Sequence, residues 1–139
     1  VHFPEQEVLY LADVDMSRFG PWYGDEGSDI DRFLASIEVA AGIPARHYVP
    51  SHGRPLEDVA GPAAAYRQVI FDRDERILEA LKVPLGLEEL TDRWIVYGRR
   101  RSPEMFYRYS ERAMVRKHLE RLAARGMIAE EDGKFVRAS

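Results

Sequence analysis

The sequence predicts an α+β fold in two parts, and three observations support this division. Strand-like and helical segments alternate in the first part, where Val8–Ala12 and His47–Pro50 are the strands. In the second part, helical segments precede two short strands around Asp132-Gly133, a pair typical of hairpin turns. Charge divides the chain too, with 5 Lys or Arg against 12 Asp or Glu in residues 1–72 and 15 against 12 in residues 73–139.

The first part, residues 1–72, is predicted to pack helices on a sheet. Its two strands run into polar loops, and a helix lies between them. That helix begins at Ser28, with Asp31 three residues later as in a capping box, and it ends at Gly42. Alternation of this kind places ligands in the loops beyond the strand ends.

The second part, residues 73–139, is predicted to contain three helices and a hairpin. A helix that opens near Pro62 continues across the boundary, and the charged run 72–76 is its expected solvated middle. Periodic apolar residues then mark two further helices, the last of which ends at Gly126. These residues are Leu87, Leu90, Trp94 and Tyr97 for the first of the two, and Val115, Leu119 and Leu122 for the second. The order predicts a winged-helix-like domain.

A carboxylate and an imidazole each follow a predicted strand, and they are candidate metal ligands. Asp13 comes directly after Val8–Ala12, and His52 follows His47–Pro50 within two residues. Such donors suit a borderline metal ion such as zinc. Zinc sites use about three or four protein ligands, so two donors are too few for a complete site. Taken singly, each residue is more typical of a turn or an exposed loop.

The segment between Asp13 and the first helix contains residues that could support such a site. Asp15 is a candidate to orient a metal ligand through a hydrogen bond, with a solvated loop residue as the alternative. Two glycines and a proline fix the turn around Phe19, Trp22 and Tyr23. The three rings either close the apolar edge of the sheet or form a wall of a substrate pocket.

The order of these motifs resembles the C-terminal half of a metallo-β-lactamase-fold hydrolase, which is a four-layer αββα sandwich. The resemblance covers about residues 1–80 and rests on Ala12-Asp13, the aromatic segment and Pro50-Ser51-His52-Gly53. It implies that Asp13 bridges two metal ions and that His52 completes the shell of the second. The family's His-x-His-x-Asp-His cluster does not occur in this sequence. The resemblance therefore implies one or two zinc ions shared with a missing N-terminal half, and a chain that is inactive alone.

The function that the resemblance implies is hydrolysis of a small-molecule substrate. A zinc-bound hydroxide would attack an ester, thioester, amide or phosphodiester. Several hydrolases of this fold carry a small winged-helix-like C-terminal domain, which agrees with the prediction for residues 73–139. Two alternatives stay open: an RNA-processing nuclease of the same fold, and a winged-helix module that binds nucleic acid or dimerises.

A basic stripe is predicted on the last helix. Arg108, Arg112 and Arg116 recur every four residues and share one face, which could bind phosphates. The predicted wing tip, Glu130-Glu131-Asp132, is acidic and would repel a phosphate backbone. We therefore expect this face to dock on the acidic first part or on a second copy of the chain in a homodimer.

Composition limits the compartment and the chemistry. The chain has no cysteine, which excludes disulfides, thiolate metal sites and cysteine nucleophiles. No apolar stretch approaches the ~20 residues of a membrane span, and no leader-like segment precedes the first strand. The sequence starts at Val1 in strand-like residues, so we expect that an upstream portion has been removed. We expect a cytoplasmic protein with no membrane partner.

Overall fold

The structure is a computed structural model that describes residues 1–17 and 19–138. The chain divides into two compact units. Unit 1 consists of Val1–Trp22 and Asp31–Ile70, and unit 2 consists of Tyr23–Ile30 and Phe71–Ser139. The two units divide after Ile70, within a long helix. The sequence predicts the division in the same helix, after residue 72. Residues Tyr23–Ile30, which the sequence assigns to the first part, belong to unit 2.

Unit 1 is built on a small mixed sheet. Its strands are β1 (His2–Phe3), β2 (Val8–Ala12) and β3 (His47–Pro50), in the order β1-β2-β3. β1 is antiparallel to β2, whereas β2 and β3 are parallel. Helix α1 (Ile30–Gly42) provides the crossover that a parallel pair requires, and it begins two residues after the predicted start. The long helix α2 (Ala60–Ala80) follows β3.

The core of unit 1 follows from the alternation along β2. Leu9 and Leu11 point into the interior and pack with Tyr48 and Val59. Tyr10, which lies between the two leucines, is 39% exposed. This alternation is the expected consequence of the two-residue period of a strand. Met16, in the loop after β2, packs against the same cluster.

Unit 2 has the predicted element order of helices followed by a hairpin. After α2 come α3 (Leu87–Asp92), α4 (Glu104–Ala124), β4 (Ile128–Glu131) and β5 (Lys134–Arg137). The turn residues Asp132 and Gly133 have φ values of 50° and 73°, as a tight two-residue hairpin turn requires. The hairpin is therefore confirmed, whereas the winged-helix assignment stays a prediction. Among the described residues, no helix has the length and apolar character needed to cross a membrane.

Helix α3 is shorter than predicted. It ends at Asp92, so the expectation that it continues through Trp94 and Tyr97 is wrong. The backbone of Trp94 has φ 53°, which lies in the left-handed region and cannot continue a right-handed helix. Trp94 is nevertheless only 4% exposed, because the loop that follows α3 turns its ring into the interior of unit 2.

The middle of α2 is only partly solvated. Arg73 and Asp74 are 3% and 7% exposed, which contradicts the expectation for the charged run 72–76. Both residues lie one helical turn from Ile70 and Ile77, which are fully buried, and they therefore share the buried face of the helix. The exposed members of the run are Asp72, Glu75 and Arg76.

Candidate metal centre

The two predicted metal ligands leave neighbouring strands at the same edge of the sheet in unit 1. Ala12 at the end of β2 pairs with Pro50 at the end of β3, and the Ser51 N–H donates to the Ala12 carbonyl at 3.3 Å. Because the strands are parallel, their carboxyl ends face the same way. Asp13 and His52 therefore both lie in loops at this edge, and both are exposed.

His52 forms its hydrogen bond with Asp15, not with Asp13. Its Nδ1 atom lies 3.3 Å from Oδ2 of Asp15. The imidazole is 77% exposed, whereas the Asp15 side chain is 11% exposed. The other carboxylate oxygen, Oδ1, accepts hydrogen bonds from the Ser17 N–H at 2.9 Å and the Tyr66 hydroxyl at 3.1 Å. An exposed imidazole is thus held from one side by a carboxylate that is itself fixed.

The three rings of the aromatic segment differ in their exposure. Phe19 is 49% exposed and Trp22 is half-buried, and both belong to unit 1. Tyr23 belongs to unit 2 and is only 1% exposed. This position differs from the predicted pocket wall, because a side chain buried to this extent offers no surface to a substrate.

Tyr23 is instead part of a buried polar chain in unit 2. Arg73 Nη1 donates to the Tyr23 hydroxyl oxygen at 2.7 Å, and that hydroxyl lies 2.7 Å from Nε2 of His118. His118 Nδ1 lies 2.7 Å from Oδ1 of Asp74, and Arg121 binds the other oxygen of this carboxylate. Burial lowers the pKa of His118 to about 3, so the ring is neutral at pH 7. The neutral ring then donates from Nδ1 and accepts at Nε2.

This neutral histidine predicts acid sensitivity. The unfolded chain binds a proton at His118 below about pH 6.5, whereas the folded chain does so only near pH 3. The free energy of unfolding therefore decreases as the pH is lowered through this range. Between pH 7 and pH 5 this group alone should cost about 2 kcal/mol of unfolding free energy. Urea denaturation at both pH values should show a smaller loss for His118→Gln than for the wild type. His2→Gln, at an exposed position, is the control and should behave as the wild type. Equal losses in all three proteins would contradict the prediction.

The basic stripe of α4 is partly neutralised within unit 2. Arg108 lies 2.9 Å from carboxylate oxygens of both Glu88 and Asp92, and Arg112 also binds Glu88. Arg116 is exposed. Two of the three guanidinium groups thus already pair with carboxylates of α3, which leaves less positive charge for phosphates. Docking and nucleic-acid binding by this face both stay predictions.

The fold is similar to that of two solved structures. A metallo-beta-lactamase family protein from Thermus thermophilus aligns with a TM-score of 0.78 and 23% identity, over 96% of this chain and 43% of that chain. A beta-lactamase domain protein from Burkholderia ambifaria aligns with a TM-score of 0.63 and 23% identity, over 78% of this chain and 33% of that chain. No protein-family model and no curated protein matches the chain.

The chain has part of a metallo-beta-lactamase fold. This confirms the α+β class and the resemblance that the strand, loop and helix order predicts. The chain spans less than half the length of either similar structure. At 23% identity, the likeness concerns the metallo-beta-lactamase fold alone, and the chemistry has to be argued from the site.

The residues of this partial metallo-beta-lactamase fold do not make a complete zinc site. In residues 1–17 and 19–138, no three His, Asp or Glu side chains converge so that they could hold a metal ion. His52 fits as one donor, because Asp15 engages only Nδ1 of an exposed ring. Asp13 fits as a second donor, because it is exposed at the same sheet edge. Two donors are too few for a complete zinc site, but they agree with a site whose other ligands come from another part of the protein.

Tyr66 is a site residue that the sequence analysis missed. It lies within the predicted helix that opens near Pro62, and its side chain is 4% exposed. Its hydroxyl nevertheless reaches Asp15. The sequence did contain an indication of this contact. Tyr66 falls on the apolar face of the predicted helix, and a buried phenol usually needs a hydrogen-bond partner.

Proposed function

We propose that this chain is the part of a zinc-dependent hydrolase that contributes Asp13 and His52 to a shared metal site. The observation that carries the proposal is the parallel pairing of β2 and β3, which delivers a carboxylate and an imidazole to one sheet edge of a metallo-beta-lactamase fold. The other ligands would come from the N-terminal half of the same protein. The chain alone would then be inactive.

Each residue of this half-site would have a distinct role. A bound zinc ion would polarise the scissile bond and lower the pKa of water towards ~7. Asp13 would hold metal from the loop after β2, and His52 would do so through Nε2. Phe19 and Trp22, which follow Asp13 in unit 1, would bound the space for a small substrate with an ester, thioester or related bond.

The nucleic-acid alternatives have less support. An RNA-processing nuclease or a binding module would need a cationic face, but Arg108 and Arg112 pair with carboxylates of α3. The hairpin tip that would serve as a wing carries Glu130, Glu131 and Asp132, all exposed. The pairings of the two arginines also weaken the case for the same face as a homodimer surface.

Zinc titration calorimetry tests the shared site. This chain alone should bind zinc far more weakly than complete structural sites, whose apparent binding free energies are about 10–16 kcal/mol. A complex of the chain with the N-terminal half should bind one or two zinc ions tightly. A tight, stoichiometric site in this chain alone would contradict the proposal, and so would the absence of zinc binding by the complex.

A further inference from the structure

We infer that Asp15 and Tyr66 are positioning residues that keep the proton of His52 on Nδ1 and leave the Nε2 lone pair facing outward. Only one part of the inference rests on the proposed function, namely that the group bound by Nε2 is a zinc ion. The position of the proton follows from contacts within unit 1 of this chain alone.

The first step is the orientation of Asp15. Its Oδ1 atom accepts two hydrogen bonds, from the Ser17 N–H and from the Tyr66 hydroxyl. Because Oδ1 is engaged twice, rotation of the carboxylate is restrained and Oδ2 is directed at His52 Nδ1. The side chain is only 11% exposed, so water competes weakly for these oxygens.

The second step is the rigidity of Tyr66. It lies on α2, is 4% exposed, and packs its ring 6.2 Å from that of Phe33 on α1. A buried phenol that lacked a partner would cost about 1–3 kcal/mol, so its O–H is strongly favoured to donate to the carboxylate. Hydrogen bonds to an ionised acceptor are roughly twice as strong as neutral ones. Tyr66 therefore anchors Asp15 to the helical layer of unit 1.

The third step is the proton on His52. An ionised carboxylate can only accept, so the contact with Oδ2 is favourable only when Nδ1 carries a hydrogen. In the neutral ring the lone pair is then on Nε2, on the side away from Asp15. Metal-binding histidines commonly show this arrangement, with the second nitrogen donating to a carboxylate. Without Asp15, an imidazole that is 77% exposed would have no such preference imposed by the protein.

Nitrogen NMR of the metal-free chain tests the inference directly. For a neutral imidazole ring, the ¹⁵N shifts report which ring nitrogen carries the proton. The wild type should show His52 mainly with the proton on Nδ1. Asp15→Ala should move most of the population to Nε2–H, and Tyr66→Phe, which keeps the buried ring, should shift it part of the way.

Tyr10→Phe is the matched control. It also removes a tyrosine hydroxyl, one that lies 2.9 Å from Oγ of Ser51, the neighbour of His52, but it leaves Asp15 untouched. The His52 tautomer should not change in this variant. A wild-type ring protonated on Nε2, or an unchanged tautomer in Asp15→Ala, would overturn the inference.

Zinc affinity of the complex with the N-terminal half separates the inference from the proposed function. Tyr66→Phe should weaken zinc binding by about 10-fold or more, as loss of outer hydrogen-bond partners does in other metal sites, and Tyr10→Phe should not. Equal zinc affinity in both variants would overturn the positioning role. If the complex binds no zinc while the Nδ1–H tautomer is present, the proposed function fails and the positioning of His52 by Asp15 stands.

Discussion

Asp13→Asn and His52→Ala are each expected to lower turnover of the complete protein by about 100-fold or more. Even indirect supports of a metal site change affinity or activity by about 10–100-fold, and these two residues would be direct ligands. Both side chains are exposed in this chain, so the thermal stability of the metal-free protein should change little. Rates on ester and thioester substrates, with zinc content measured on the same samples, provide the test.

His47→Ala is the control for these two variants. His47 lies at the start of β3, at the end of the strand opposite to the candidate ligands. Its removal tests whether loss of any histidine from β3 and the loop after it is sufficient to reduce activity. We expect this variant to keep its zinc and its rate. Full zinc content and full activity in Asp13→Asn or His52→Ala would remove that residue from the proposed site.

Glu111→Ala is expected to lower the unfolding free energy by about 3 kcal/mol or more. The Glu111 side chain is fully buried, and its two oxygens accept the Val96 N–H at 2.7 Å and the Tyr97 N–H at 3.0 Å. Burial raises the pKa of this carboxyl, and the two hydrogen bonds oppose that effect. Truncation would leave both donors without an acceptor, at about 1–3 kcal/mol for each buried group.

Two further variants make the Glu111 prediction specific. Glu111→Gln keeps the shape but turns an N–H₂ group towards one of the two donors, so we expect an intermediate loss of about 2 kcal/mol. Glu120→Ala removes an exposed carboxylate from the same helix and should change stability by about 0.5 kcal/mol or less. Urea denaturation measures the free energy of unfolding of the three variants and of the wild type. Similar losses for Glu111→Ala and Glu120→Ala would show that the buried carboxylate contributes little to stability.

The elements that were predicted correctly depend on local signals. The strand β2 follows from its two-residue alternation, and the hairpin follows from Asp132-Gly133, where both backbones have positive φ. The strand β3 and helix α1 also lie close to their predicted bounds. These signals act over a few residues, so neighbouring residues are sufficient to reveal them.

The buried polar chain was not predicted because its partners are distant in sequence. His118 is 95 residues from Tyr23 and 44 residues from Asp74. A partial signal was present in α2, since Arg73 and Asp74 fall on the helical face defined by Ile70. Charge alone suggested a solvated position, and helical periodicity would have been the better guide.

The candidate site was predicted by the order of motifs but not in its contacts. Alternation along a continued β2 would turn Asp13 and Asp15 to the same side as Leu9 and Leu11, which is the side of the core. The strand instead ends in a turn, where Ala12 has φ 51° and the Val14 N–H donates to the Leu11 carbonyl. The two-residue period therefore no longer applies, and the sequence could not predict the Asp15–His52 contact.

The pairing of Ala12 with Pro50 also determines how the candidate metal site tolerates changes in chain length. Asp13 and His52 are 39 positions apart in the sequence, but their placement at one sheet edge depends on strand register and not on the length of α1 or its flanking loops. Residues inserted in those loops would lengthen the connection between β2 and β3 and leave the two strand ends in place. A single residue inserted within β2 would shift the register and displace Asp13. A search for similar pairs of candidate ligands in other sequences should therefore align the carboxyl ends of the two strands and allow any number of residues between them.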